Sequence, residues 1–187
     1  MVLDPAPRPP PAALTAASTD APIPGLTRRD FFADVRDRLR PALPAELSGF
    51  RHRQAPSLLK VFYDNDRVHF EVWANGAQGV LGVGLHFEDG PVSTAAYLAY
   101  FDAQIVELKH ALGPTLELER WTPSWGHLYE IHPLTRLDAP TVTHTARRLA
   151  ALIATLQPLV AAAAIPPERS ASGEPVERSG PWRKWRR

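Results

Sequence analysis

The chain has 187 residues, of which 44% are hydrophobic, and its formal net charge is +1. This is enough apolar material for the core of one ordinary domain, and the near-neutral charge gives no bulk electrostatic reason to expect a nucleic-acid or membrane partner. The sequence contains no cysteine, which excludes disulfides, thiolate metal ligands and cysteine nucleophiles.

Proline is concentrated near the two ends, in "APRPPPAAL" and "PPERSASGEP". Such segments bury too little apolar surface to offset the entropy lost on ordering. We therefore expect disordered tails over residues 1–25 and 166–187, and a single domain over residues 26–165. The start of the chain lacks the apolar segment of a secretory signal, so we expect a cytoplasmic location.

The first half of the domain reads as one helix followed by three strands. Thr27 is a candidate N-cap, apolar residues follow at helical spacing, and Pro41 and Pro44 predict the end of this helix. The strands are separated by turn signals such as Asn75-Gly76, and they are predicted over 57–64, 67–74 and 79–88.

The second half reads as helix, hairpin and helix. Ser93 is the expected cap of a second helix that continues to Leu112. Two alternating segments, 115–121 and 126–132, predict a hairpin, and Asp138 begins a third helix. The order α-β-β-β-α-β-β-α indicates an α+β fold, with a five-stranded, mostly antiparallel sheet and helices packed on one face.

A charge-free stretch in the third helix, between Arg148 and Glu168, has about the length of a membrane span. It contains Gln157 and Pro158 at its middle and is otherwise rich in alanine, so central polar and proline costs nearly cancel its apolar gain. We predict a core helix and no membrane span.

The tripeptide His-Phe-Glu occurs twice, at residues 69–71 and 86–88. Strand alternation places Phe70 and Phe87 in the core and leaves the two histidines on the opposite face. Three registers keep the core matched, with a two-residue, four-residue or six-residue loop between the strands. His69 lies directly opposite His86 only with the longest loop.

A metal centre built from this hairpin alone is not expected. In antiparallel strands Glu71 and Glu88 extend toward opposite ends, about 20 Å apart, so no register should gather all four groups. His69, Glu71 and His86 would then need further ligands from elsewhere to form a catalytic metal site. We predict no metal, no cofactor and no catalytic residues, and little stabilisation by Zn²⁺, Mn²⁺ or Ni²⁺.

The preferred interpretation of this sheet face is a solvated or partner-covered surface, and Glu117, Glu119 and Glu130 are expected on similarly solvated strand faces. Glycines weaken a strand unless something lies close against it, and a peptide, an N-terminal segment or another subunit could cover Gly82 and Gly84. Tryptophans at strand ends often form contact surface. The candidate binding residues are His69, Glu71, Trp73, Gly82, Gly84, His86, Trp121 and Trp125.

The last seven residues, "PWRKWRR", combine four positive charges with two tryptophans. Such a segment can contact phosphates and stack on bases. The candidate nucleic-acid-binding residues are Trp182, Arg183, Lys184, Trp185, Arg186 and Arg187.

The run "LGVGLHFE…AYFDAQIVELKHALGPTLELERW", with a terminal helix ending "TLQPLV", resembles an uncharacterised domain appended to restriction-endonuclease-like proteins. The resemblance covers about residues 79–160. That family has no assigned catalytic residues to carry over, and the nuclease half that accompanies the domain is missing here. The order of elements is also similar to that of the small dimeric chaperones of secretion systems.

These observations predict a soluble, non-enzymatic domain that binds a macromolecule, another protein or a second copy of itself, through its sheet face or an exposed edge. An accessory nucleic-acid-binding factor that uses the basic C-terminal tail is the alternative. A metal-dependent enzyme built around His69, Glu71 and His86 is the third hypothesis.

Overall fold

Six antiparallel strands and four α-helices form the fold of residues 25–168, the part of the chain that this computed structural model describes. The helices are α1 (Arg28–Ala42), α2 (Pro91–Asp102), α3 (Ile105–Leu112) and α4 (Ala139–Ala163), with a short 3-10 helix at Ala45–Leu47. The strands are β1 (Arg51–Ala55), β2 (Leu58–Phe62), β3 (Val68–Asn75), β4 (Val80–Phe87), β5 (Glu117–Thr122) and β6 (Trp125–Pro133).

The strands lie in the order β1-β2-β3-β4-β6-β5, and each neighbouring pair is antiparallel. The predicted α+β class and antiparallel sheet are confirmed, but the predicted count of five strands is wrong. The missed strand is β1, which pairs with β2 across a turn at Pro56 and Ser57. Its residues Arg51–Gln54 are exposed, so β1 carries no apolar alternation from which a strand could be recognised.

One face of the sheet carries the hydrophobic core. Phe70 lies opposite Leu85, and Val72 lies opposite Val83, as the strand alternation predicted. Helix α4 packs on β3 and β4, and α2 contacts β4, β5 and β6. The Phe87 ring stacks on Tyr97 of α2 with ring centroids 5.0 Å apart. Helix α1 packs beside α4 and also contacts β1 and β2.

The helix starts inferred from capping residues are confirmed at two helices. The Thr27 hydroxyl accepts a hydrogen bond from the Asp30 backbone N–H (3.1 Å) at the start of α1, and the Asp138 carboxylate accepts one from Thr141 (3.0 Å) at the start of α4. Each side chain satisfies a backbone donor that has no partner within its helix. Pro158 lies inside α4 without ending it.

The second predicted helix is two helices, and its predicted cap is wrong. Gly90, with φ of 91°, precedes α2 in the left-handed region and Pro91 opens the helix, while Ser93 lies inside it and is buried. A break at Ala103 and Gln104 separates α2 from α3. The apolar spacing continues across this break, so periodicity alone does not reveal it.

Helix α4 is long and apolar enough to cross a membrane by length and composition, with a mean hydropathy of 1.2. In this fold it buries Val142, Leu149 and Ile153 in the core beside the sheet. That packing is what the core-helix prediction expected.

Candidate metal centre

Three histidines lie directly opposite one another across the middle of the sheet. His69 of β3 pairs with His86 of β4, and His86 pairs with His127 of β6. The first pairing is the six-residue-loop register, the longest of the three that the sequence allowed, with Asn75 and Val80 also paired inside it. The His69 and His86 rings are stacked at 5.4 Å, and those of His86 and His127 lie at 5.2 Å.

The two strand glycines are covered by side chains of the chain itself. A Cβ at Gly82 would lie 1.9 Å from the indole of Trp73, and a Cβ at Gly84 would lie 2.6 Å from the Cβ of Tyr129. The expectation that something lies close against both glycines is therefore right. It does not require the external peptide or subunit that the sequence suggested.

The prediction that the four His and Glu groups cannot converge is wrong. One ligand atom from each of His69, Glu71, His86 and Glu88 falls in a group whose atoms all lie within 4.8 Å of one another. In the observed register the Glu88 backbone N–H donates to the Arg67 carbonyl, so the two glutamates flank His69 by two positions on either side. Their backbones are about 13 Å apart, and their side chains reach back toward the imidazole.

His69 is the centre of this arrangement. Its Nε2 lies 3.4 Å from an oxygen of Glu71 and 3.9 Å from an oxygen of Glu88. Lys60, opposite Glu71 on β2, places its ammonium 3.1 Å from Glu88 and 3.7 Å from Glu71. We call His69, Glu71, His86 and Glu88 the His/Glu cluster, and Lys60 is its cationic neighbour.

Of the two expectations for this sheet face, solvated or partner-covered, the solvated one is wrong at its centre. His69 and His86 have no exposed surface, and Glu71 is 1% exposed. Trp73, Trp121 and Trp125 place their rings around His86, with centroids 5.7, 6.2 and 6.4 Å away. The eight candidate binding residues thus share one face, but the central ones are buried and do not present a flat contact surface.

Burial keeps the histidines neutral. It lowers the pKa of His69 to about 4, and it lowers that of His86 well below its usual value, with the neighbouring His69, His127 and Lys60 acting in the same direction. A neutral imidazole has a free lone pair, which a metal ligand needs.

Burial has the opposite effect on the carboxyl group of Glu71. It raises the pKa of Glu71 to about 7, although the Lys60 ammonium acts against this shift. Since desolvation disfavours the charged form, a second positive charge near Glu71 would favour its carboxylate.

Several buried polar atoms of the cluster lack a partner. Among the described residues, neither ring nitrogen of His86 has a hydrogen-bond partner, and the same is true of Oε1 of Glu71. Buried polar atoms are normally satisfied, because leaving one unpaired costs about 1–3 kcal/mol. Oε1 of Glu71 and at least one ring nitrogen of His86 are therefore buried polar atoms that a ligand between the two side chains would satisfy.

His127 connects the row of histidines to solvent. Its Nε2 lies 3.3 Å from the Glu119 carboxylate, which also accepts hydrogen bonds from the Trp121 indole (2.8 Å) and the Tyr129 hydroxyl (3.1 Å). The Glu119 side chain is 49% exposed, so its predicted solvated position is confirmed.

Glu130 does not lie on a solvated face, contrary to the sequence interpretation. It points to the helix side of the sheet, is fully buried, and forms an ion pair with Arg148 of α4. The Nε of Arg148 donates to Oε2 of Glu130 at 3.1 Å, and His132 lies 3.1 Å from the same oxygen. This pair joins α4 to β6.

The donor set of the His/Glu cluster fits a first-row divalent metal ion. Two neutral imidazoles and two carboxylates are ligands that Zn²⁺ accepts in tetrahedral sites, and Fe²⁺ and Mn²⁺ also bind this mixture. Donors about 2.1 Å from a tetrahedral ion lie roughly 3.4 Å apart, so the cluster needs to contract by no more than about 1.5 Å.

Sequence reasoning missed two neighbours of the cluster, Lys60 and His127, and placed Glu88 too far away. Lys60 and His127 belong to strands β2 and β6, and only the strand order of the sheet brings them beside β3 and β4. The basic segment from Trp182 to Arg187 lies outside the described residues. Comparisons with protein-family models, curated proteins and solved structures find no match, so the cluster is interpreted from its own geometry.

Proposed function

We propose that the protein binds one divalent transition-metal ion inside its sheet, through His69, Glu71, His86 and Glu88. The observation that carries the proposal is the convergence of the four ligand atoms within 4.8 Å. Convergence of two imidazoles and two carboxyl groups in a buried place has a large desolvation cost when it is left without a cation. A bound divalent ion would neutralise both carboxylates and supply a partner for Oε1 of Glu71 and for one ring nitrogen of His86.

Burial of the cluster favours a binding role over a catalytic one. A catalytic metal keeps a ligand position open to substrate, whereas His69, His86 and Glu71 are at most 1% exposed. Neither of two surface cavities, of about 630 and 430 Å³, is lined by a residue of the His/Glu cluster. The first lies between α1 and α4, and the second lies between α2 and residues 163–168. The proposed ion therefore ties β3 to β4 as an internal part of the fold.

Neutral pH suits the proposed ion. The histidines are already unprotonated there, and the Glu71 carboxyl, whose pKa burial raises to about 7, loses its proton when the ion binds. With nitrogen and oxygen donors only, zinc is the probe of choice, because it accepts four such ligands without a strict geometric demand.

Zinc content after equilibrium dialysis tests the proposal. We expect one zinc per wild-type chain, and a loss of at least about tenfold in affinity for Glu88→Gln and for His86→Gln, because each removes one of four ligands. Glu88→Gln is close in shape and its site is 27% exposed, so it should fold normally. His110→Gln, a change of the same kind at an exposed histidine of α3, is the matched control and should retain wild-type zinc.

Circular dichroism of each variant separates loss of binding from loss of folding. A wild-type chain that dialyses free of zinc would contradict the proposal. The same conclusion would follow if folded Glu88→Gln and His86→Gln bound zinc as tightly as the His110→Gln control.

A further inference from the structure

Two partly exposed side chains, Glu88 of the His/Glu cluster and its neighbour Lys60, lie between the buried members of the cluster and solvent. The Lys60 side chain is 23% exposed and that of Glu88 is 27% exposed, while His69 and Glu71 are buried behind them. Lys60 lies on β2 and Glu88 directly follows β4, and β3 separates these two strands in the sheet. Their ion pair therefore spans β3 on this face of the sheet. The Lys60–Glu88 ion pair therefore separates the buried His69 and Glu71 from solvent.

The Lys60 ammonium neutralises the same carboxylates that a bound metal ion would neutralise. Its ammonium lies 3.1 Å from the Glu88 carboxylate and 3.7 Å from that of Glu71, which are two of the four proposed ligands. A divalent ion bound to the same carboxylates and an ammonium in contact with them would repel each other at close range. Lys60 contacts Oε2 of each carboxylate and leaves Oε1 of Glu71 without a partner, so the two cations would share the carboxylates through different oxygens and repel each other across them.

We propose that Lys60 is a built-in gate of the metal site: its ammonium substitutes for the metal in the empty protein and must swing away into solvent before the ion enters. This inference rests on the proposed metal function. It adds the route by which the ion enters, past Lys60, and the group that competes with the ion for the two carboxylates. Lysine suits this role, since its ammonium sits on a flexible four-carbon stem whose head can return to water while the stem stays packed.

The gate predicts that the charge of Lys60 stabilises the metal-free protein and destabilises the metal-bound one. Without metal, the ammonium stabilises two crowded carboxyl groups, of which Glu71 is fully buried. With metal bound, the same ammonium repels the divalent ion and weakens its binding. Removing its charge while keeping an unbranched stem should therefore tighten metal binding and speed its entry.

Lys60→Met is the test variant, Lys60→Arg keeps the charge, and Lys109→Met removes the same charge from a lysine that pairs with Glu117 instead. Zinc affinity is measured by competition with a chromophoric chelator, and the association rate by stopped flow. We expect Lys60→Met to bind zinc at least about tenfold more tightly and faster than wild type, Lys60→Arg to show no such gain because it keeps the charge, and Lys109→Met to stay within about threefold of wild type.

Each outcome bears separately on the gate and on the metal site. If the wild-type chain binds zinc and Lys60→Met binds it no more tightly, the gate is wrong and the site stands. If only Lys60→Met binds zinc, the gate is supported and the wild-type function is not. If neither binds zinc while circular dichroism shows both folded, both proposals fail.

Discussion

Zinc at a hundred times its dissociation constant should raise the free energy of unfolding by about 2.7 kcal/mol, because it binds the folded chain and not the unfolded one. For a protein of this size the corresponding rise in Tm is roughly 5–10 °C. Differential scanning calorimetry with and without zinc measures this shift, and a chelator should reverse it.

At the same zinc concentration the shift should fall to about half or less in Glu88→Gln, whose affinity is at least about tenfold weaker, and persist in full in His110→Gln. Non-specific zinc binding to exposed histidines would instead raise the Tm of both variants alike, or lower it through binding to the unfolded chain. A wild-type Tm that does not respond to zinc, manganese or cobalt would contradict the metal account, and it would restore the expectation drawn from the sequence alone.

Acid should unfold the metal-free protein more readily than an ordinary sheet of this size. Burial lowers the pKa of His69 to about 4 and that of His127 also to about 4, so the unfolded chain takes up protons between pH 6.5 and 4 that the folded chain refuses. The stability from these histidines is present above pH 6.5 and is lost as the pH falls. Between pH 7 and pH 5 each contributes a loss of about 2 kcal/mol.

Glu71 acts in the opposite direction. Burial raises its pKa to about 7, so the folded chain binds a proton there before the unfolded chain does, which adds about 2 kcal/mol as the pH falls from 7 to 5. The pKa of His86, lowered mainly by burial, adds to the loss. The net expectation is a free energy of unfolding at least about 2 kcal/mol lower at pH 5 than at pH 7.

Urea titrations in the presence of a chelator measure this pH dependence. His127→Gln should remove about 2 kcal/mol of the pH-dependent loss, because it removes one buried imidazole that must be charged on unfolding. His110→Gln, which changes an exposed histidine, should leave the pH dependence as it is. Equal stability of the wild-type protein at pH 5 and pH 7 would show that the three histidines are not buried and neutral.

The parts of the fold that local chemistry decides were predictable. Thr27 and Asp138 are helix caps in the structure as in the sequence, and the paired apolar positions of β3 and β4 lie in the core as their alternation required. Strand β1 was missed because a polar edge strand carries no burial pattern. The break between α2 and α3 was missed because apolar spacing runs through it.

The candidate site depends on information that is not local. The His69–His86 pairing is one of three registers that matched the core equally well, and the turn sequence did not choose among them. The presence of Lys60 and His127 follows from β2 and β6 flanking the central hairpin. Convergence of Glu71 and Glu88 depends on long side chains that lean toward His69, which backbone spacing alone does not show.

A crystal of the wild-type chain grown with zinc, with diffraction data recorded above and below the zinc absorption edge, tests the central claim most directly. We predict one anomalous peak on the non-helical side of the sheet, about 2.0–2.2 Å from one nitrogen each of His69 and His86 and from oxygens of Glu71 and Glu88, with Lys60 turned toward solvent. An anomalous map with no peak among these four side chains, or with zinc only at exposed histidines, would contradict it.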